Sequence, residues 1–226
     1  MTTRKFTLTE MVFVMALISL FGVLLLPVLA QADKKAEAIS CMDKLKRVGL
    51  AGLQYCDEND GHFPGYRWGA AYGVRNKGGV MTQYLSEKFR TYSQAGEDSV
   101  LTCPVMQQTH PSGIAFHRTY STNGYTSSVG HQGQALERDG GLMRLAEVAK
   151  PAHLSVFFDG LPNTQRDEGS WQYKPMGTYG DSIRAGMMQF PHENGENVFL
   201  ADGHAEWVAR DVLVNLEPRA AFWRGE

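Results

Sequence analysis

Residues 11–30, MVFVMALISLFGVLLLPVLA, hold twenty consecutive positions without a charge. Wound as a helix at about 1.5 Å per residue they reach about 30 Å, one hydrocarbon thickness. Past residue 33 the pattern changes. Ala38, Cys41, Met42, Leu45, Val48, Gly49, Gly52, Leu53 and Cys56 recur at three- and four-residue steps, with Asp43, Lys44, Lys46 and Arg47 off that stripe. The same helix is therefore predicted to continue amphipathically to about residue 55. Gly49 and Gly52 each weaken a helix by about 1 kcal/mol relative to Ala, yet they let a sheet approach closely, so they read as a packing groove. Pro27 removes one helical hydrogen bond and clashes one turn back, which predicts a kink or local melting over residues 23–27.

Residues 57–64, DENDGHFP, end the helix with turn formers. Their closely spaced carboxylates make this loop a candidate for structural calcium, without the full EF-hand spacing. Residues 65–141 are rich in Gly, Ser, Thr, Asn and Tyr, which predicts long loops with brief strands. Residues 154–160, LSVFFDG, form a compact β-favouring run closed by Asp-Gly, a predicted central strand. The clearest hairpin signal is Asp202-Gly203 between the runs 198–201 and 204–207, read as a type I′ turn. That turn pairs Ala201 with His204 and Val198 with Trp207. Val198, Leu200, Ala205 and Trp207 then share the expected core face, with Phe199, Ala201, His204 and Glu206 opposite. One long helix followed by strands predicts an α+β fold: a helix packed by its second half on an antiparallel sheet with long loops.

With 226 residues, 43% of them hydrophobic, the chain can supply one anchor and one globular domain with a core of its own. A net charge of -2 and a pI near 6.4, without a run of Lys or Arg, argue against nucleic-acid binding. Cys41 and Cys56 lie about 22 Å apart along one helix, so any disulfide must use Cys103. Cys56 with Cys103 is the favoured pair, and three buried thiols are the alternative.

Glu10 stands at the front edge of the apolar run, where a carboxylate needs a partner. Arg4-Lys5-Phe6-Thr7-Leu8-Thr9-Glu10 followed by that run resembles the cleavage and methylation signal of type IV prepilins and type II secretion pseudopilins. The resemblance implies a leader of residues 1–5, cut by a prepilin peptidase between Lys5 and Phe6, and N-methylation of Phe6. It makes residues 6–32 the transmembrane and assembly helix, residues 33–57 its amphipathic continuation and residues 58–226 an extracytoplasmic domain. It also implies that Glu10 pairs with the free amine of a neighbouring subunit, and Pro27 falls where many pilins carry a kinking proline. The family usually has Gly where this chain has Lys5, and Ile where it has Thr9. His192, nine residues, then Asp202-Gly203 is similar to the H-X9-DG signature of pseudopilin-like bacterial proteins.

The resemblance implies a non-enzymatic filament subunit whose partners are prepilin peptidase, other pilin-like subunits and the inner membrane. The protein would be single-pass, with its C-terminal domain in the periplasm or in an extracellular filament. Competing readings are a secretory signal peptide, from Arg4, Lys5 and Ala30-Gln31-Ala32, and a membrane-tethered module binding carbohydrate through Tyr66, Trp68, Tyr72 and Trp171. His192, Asp202 and His204 are metal-capable residue types. The preferred reading of the signature is structural, however, with Asp202 bonding backbone in the turn and His192 tying the incoming segment to it; no metal is assigned. No G-x-S-x-G, H-E-x-x-H, Walker or paired-cysteine zinc pattern occurs.

Overall fold

A computed structural model describes residues 7–64, 83–85, 100–108, 119–123, 126, 143–160, 176–177 and 190–215. The chain divides into two compact units, Met1–Glu37 and Ala38–Glu226. Helix α1 (Leu8–Glu58) is 51 residues long and contains Pro27 without interruption. The melting expected at residues 23–27 does not occur: one lost hydrogen bond does not break a helix whose flanking turns are already nucleated.

In the first unit the apolar positions have no cover from their own chain. Phe13, Ile18, Phe21, Leu24 and Leu29 are all exposed, and the most apolar window of the helix is wholly unburied. The helix is thus long and apolar enough to cross a membrane.

In the second unit the buried face of α1 is Cys41, Leu45, Val48, Gly49, Ala51, Gly52 and Cys56, which follows the predicted stripe with Ala51 added and with Ala38, Met42 and Leu53 only partly buried. A Cβ on Gly49 would lie inside the Phe199 ring, so this glycine sets how closely helix and sheet approach. Beyond α1 come α2 (Pro104–Gln108), β1 (Tyr120–Asn123), two 3-10 turns, β2 (Ser155–Asp159), β3 (Met176–Gly177), β4 (Gly195–Leu200), β5 (Ala205–Ala209) and α3 (Arg210–Val214). The strand order is β3-β1-β2-β4-β5, and the predicted central strand is indeed central. Four strands are antiparallel, as expected; β3 departs from that by pairing parallel with β1.

The hairpin register differs from the expected one by a residue. Phe199 pairs with Ala205, Val198 with Glu206 and Asn197 with Trp207. Leu200 N–H donates to the His204 carbonyl, which leaves a three-residue loop, Ala201-Asp202-Gly203, with only Gly203 at positive φ (97°). A type I′ turn would have forced Asp202 to positive φ as well, at a cost of roughly 1–2 kcal/mol. One added loop residue avoids it. Because side chains alternate, this one-residue change exchanges faces. Phe199 joins the core against α1, with Phe157, Leu45 and Val48. Val198 and Leu200 turn to a second cluster with Phe158 and Leu213. Strands β2 and β4 are buried at every position, which is why they read as continuous apolar runs instead of alternating ones.

A type I′ turn does occur, at Glu193 (φ 51°) and Asn194 (φ 62°), closed by reciprocal backbone bonds of 3.2 and 3.0 Å between His192 and Gly195. At the end of α1, the Gly61 N–H donates to the Cys56 carbonyl at 2.9 Å and Gly61 takes φ 77°, a helix C-terminal stop. The candidate calcium loop forms a capped helix end. Glu58 accepts a hydrogen bond from the Tyr84 hydroxyl at 2.8 Å, and among the described residues the loop's carboxylates form no metal-sized group.

Candidate functional site

The disulfide joins Cys41 of α1 to Cys103, the residue before α2, with Cα atoms 5.1 Å apart. The expected Cys56–Cys103 pair is not formed; Cys56 is free and buried. The reason lies in how the segment around residue 103 is docked. The Cys103 N–H donates to Thr119 Oγ1 at 2.6 Å, and the Tyr120 hydroxyl donates to the Cys41 carbonyl at 3.0 Å. Together they set Cys103 beside the turn of α1 that carries Cys41, while Cys56 lies four turns further along. Burial, with the charge of Asp57, pushes the Cys56 thiol up to about 12, so it is a packed apolar group and not a nucleophile.

His192 reaches this disulfide. Its Nε2 lies 3.5 Å from Cys103 Sγ and 3.4 Å from Asp159 Oδ2. All four side chains are buried, His192 at 3% exposure and the other three at 0%. The strained turn at Glu193-Asn194 fixes the backbone of His192, and Trp207 Nε1 donates to the His192 carbonyl at 2.8 Å. Gly195 makes room for that indole, since a Cβ there would lie inside the Trp207 ring. Asp159 Oδ2 accepts the Asn197 N–H at 2.8 Å, whereas Oδ1 has no partner among the described residues. Burial pushes Asp159 up to about 7, against the hydrogen bonds from Asn197 that hold it down. Glu196 is also buried, with neither carboxyl oxygen hydrogen-bonded among the described residues; burial, then the Asp159 charge, pushes it well above the usual carboxylate range.

His192 therefore does not tie its segment to the Asp202 turn. The nine residues between His192 and Asp202 are the two turn residues, the six of β4, and Ala201. His192 lies level with Gly195 and Asp202 lies beyond Leu200, so the strand separates them by about 20 Å. Asp202 caps its own loop, as expected: Oδ1 accepts from the His204 N–H at 3.2 Å and contacts His204 Nδ1 at 2.6 Å. Gly203 supplies the positive φ. His192, Asp202 and His204 form no common metal set. Among the described residues the one group of metal-capable side chains is Cys41, Cys103 and His192.

At the other end of the chain, Glu10 has a partner within its own helix. Its Oε2 accepts the Thr7 N–H and the Thr7 hydroxyl, each at 2.8 Å, while the Glu10 N–H donates to Thr7 Oγ1 at 3.4 Å. This is a capping box, Thr at the N-cap and Glu at the third helical position. The T-x-x-E spacing in residues 7–10 was the sequence signal for it. Lys5, Phe6, Tyr66, Trp68, Tyr72 and Trp171 lie outside the described residues.

Asp159 and Glu196 were not among the sequence candidates. Asp159 looked like a residue closing a strand. Compared with family models, curated proteins and solved structures, the chain matches none.

Proposed function

We infer that the protein is a membrane-anchored structural subunit of a pilin-like filament, assembling through the apolar part of α1. The observation that carries this reading is the exposed apolar stretch of a 51-residue helix whose later residues form part of a folded core. Twenty uncharged positions left without cover are stable only in lipid or against other helices. The resemblance of residues 4–10 to a prepilin processing signal gives the second possibility a direction: helices released from the membrane bundle together. Phe6 and Glu10 register the subunits, and Pro27 adjusts the packing. The domain is then the part presented outside the inner membrane, and no catalytic role is assigned.

The capping box sharpens the role of Glu10. In the isolated chain the carboxylate is occupied by Thr7, so pairing with a neighbour's amine has to share or exchange that partner. Intact-mass spectrometry with N-terminal peptide mapping of protein from its native membrane tests the reading. A chain starting at N-methylated Phe6 supports processing for assembly. A chain starting at Asp33 means a secreted soluble protein and sinks the proposal, and an uncut Met1 leaves a tether that is not processed for assembly.

A further inference from the structure

We propose that Cys41, Cys103, His192 and Asp159 form a redox-gated zinc site, which binds zinc(II) when the Cys41–Cys103 bond is reduced and excludes it when the bond is closed. The inference does not depend on filament assembly.

The geometry around His192 Nε2 carries it. With zinc–sulfur bonds of about 2.3 Å and zinc–nitrogen and zinc–oxygen bonds of about 2.0–2.2 Å, a tetrahedral centre has sulfur–nitrogen edges of about 3.5 Å and nitrogen–oxygen edges of about 3.4 Å. The structure has Nε2 3.5 Å from Cys103 Sγ and 3.4 Å from Asp159 Oδ2. Two edges are therefore already at tetrahedral length. The sulfur–sulfur edge has to open from a covalent bond to about 3.8 Å, and the Asp159 carboxylate, which lies outside the group of mutually close ligand atoms, has to close on the sulfurs. The ligand atoms of Cys41, Cys103 and His192 already lie within 4.8 Å of one another. The cysteine Cα atoms, 5.1 Å apart, allow the opening by side-chain rotation.

The donor set also suits zinc chemically. Two thiolates, a neutral imidazole and a carboxylate around a divalent ion sum to a single negative charge, far less than the separate ions would bring into a buried site. Asp159 closes the set from beside the Asn197 N–H, and its Oδ1 is a buried acceptor without a partner among the described residues. His192 is held by a turn containing Glu193 at positive φ and by the Trp207 bond to its carbonyl. Backbone strain retained next to such a group is the kind of over-determination that functional positions show.

The redox step balances simply. A dithiol reductant gives two electrons and two protons to the Cys41–Cys103 bond and becomes a disulfide itself, leaving two thiols. Zinc then displaces the two thiol protons to solvent.

The test uses the full chain, free of any histidine tag, in detergent, with cobalt(II) and zinc(II) as probes. After reduction with a phosphine, one equivalent of cobalt should give the thiolate charge-transfer and visible bands of a tetrahedral centre, and zinc should displace it. The oxidised chain should give neither. Zinc at a hundredfold excess over its dissociation constant should raise the Tm of the reduced chain by about 5–10 °C and leave the oxidised chain unmoved. His192→Ala should abolish the bands, while Cys56→Ser should keep them. If His192→Ala does not fold, thiol protection decides: zinc should block alkylation of Cys41 and Cys103 in the reduced, unsubstituted chain, with Cys56 buried and unreactive with or without the metal. Absent bands after reduction, bands that persist in folded His192→Ala, or thiols that stay reactive with zinc would each overturn the proposal.

Discussion

Gly49→Ala opposes two effects of known sign at one atom. Alanine in place of glycine inside a helix gains about 1 kcal/mol of propensity. Here the new methyl would enter the Phe199 ring, closer than the 3.0 Å that real Cβ contacts respect. The ring has nowhere to move: Phe199 is fully buried, and the Phe157 ring centroid stands 6.5 Å away on the same face. Overpacking of this kind costs about 1–3 kcal/mol. With the ring confined the clash should win, and the net loss should be up to about 2 kcal/mol, or up to about 8 °C in Tm for a domain of this size.

The assay is thermal unfolding of the detergent-solubilised chain, with Phe199→Leu as the second arm of a double-mutant cycle. Once the ring is gone the methyl finds space, so Gly49→Ala should turn from destabilising to stabilising by up to about 1 kcal/mol. The coupling in the cycle should be about 2 kcal/mol. If Gly49→Ala raises Tm with Phe199 intact, the close approach of α1 to β4 described above is wrong.

Other consequences can be checked on the same material. Non-reducing peptide mapping should find Cys41 linked to Cys103; a Cys56–Cys103 peptide would refute the docking of residue 103. The bond closes a loop with sequence separation 62, so reduction without zinc should lower stability by about 4 kcal/mol on the chain-entropy account. Cys56, pushed up to about 12 and buried, should resist alkylation in the native chain at pH 8 and react fully once unfolded; fast native labelling would contradict its burial. Glu196, held well above the usual carboxylate range, keeps in the folded chain a proton that the unfolded chain gives up. Its contribution therefore lowers stability as pH rises from the unfolded value towards the folded one. Glu196→Gln should flatten that part of the pH–Tm curve and be the more stable protein at pH 8, and an unchanged slope would reject the assignment. Finally, Glu10→Gln keeps the capping geometry without the charge, while Glu10→Ala removes both. Assembly lost equally in the two variants supports an intersubunit charge; assembly lost only in Glu10→Ala assigns Glu10 to the cap.

What could be read from sequence was whatever a single segment decides. The stripe from Cys41 to Cys56, the glycine groove and the β runs at 154–160 and 198–207 follow from periodicity and side-chain type, and each appears where expected. Errors arose where two segments share the decision. Helical rise excluded a Cys41–Cys56 bond, but choosing between those cysteines for Cys103 needs the docking of Thr119 and Tyr120. The turn at Glu193-Asn194 has a weak sequence signal, because Glu rarely accepts positive φ. The Asp-Gly at 202–203 looked like the stronger signal, and taking it as a two-residue turn put Val198 and Leu200 on one face with Ala205, whereas Ala205 packs with Phe199 on the α1 side.

The spacing from His192 to Asp202 can now be given a physical meaning. At one end a type I′ turn folds His192 back onto Gly195, into the buried cluster with Asp159 and the disulfide. At the other end Asp202 and Gly203 shape a three-residue loop at the rim of the hairpin. Between them run the six residues of β4, buried on both faces, with Phe199 against α1 and Val198 and Leu200 against Leu213. Adding or removing one residue between the ends would exchange those faces, expelling Phe199 from the pocket that Gly49 leaves for it. Nine intervening residues are thus the sum of a two-residue turn, a doubly buried strand and the first residue of a loop. The histidine and the aspartate share a spacing because one strand joins them, and they do separate work at its two ends.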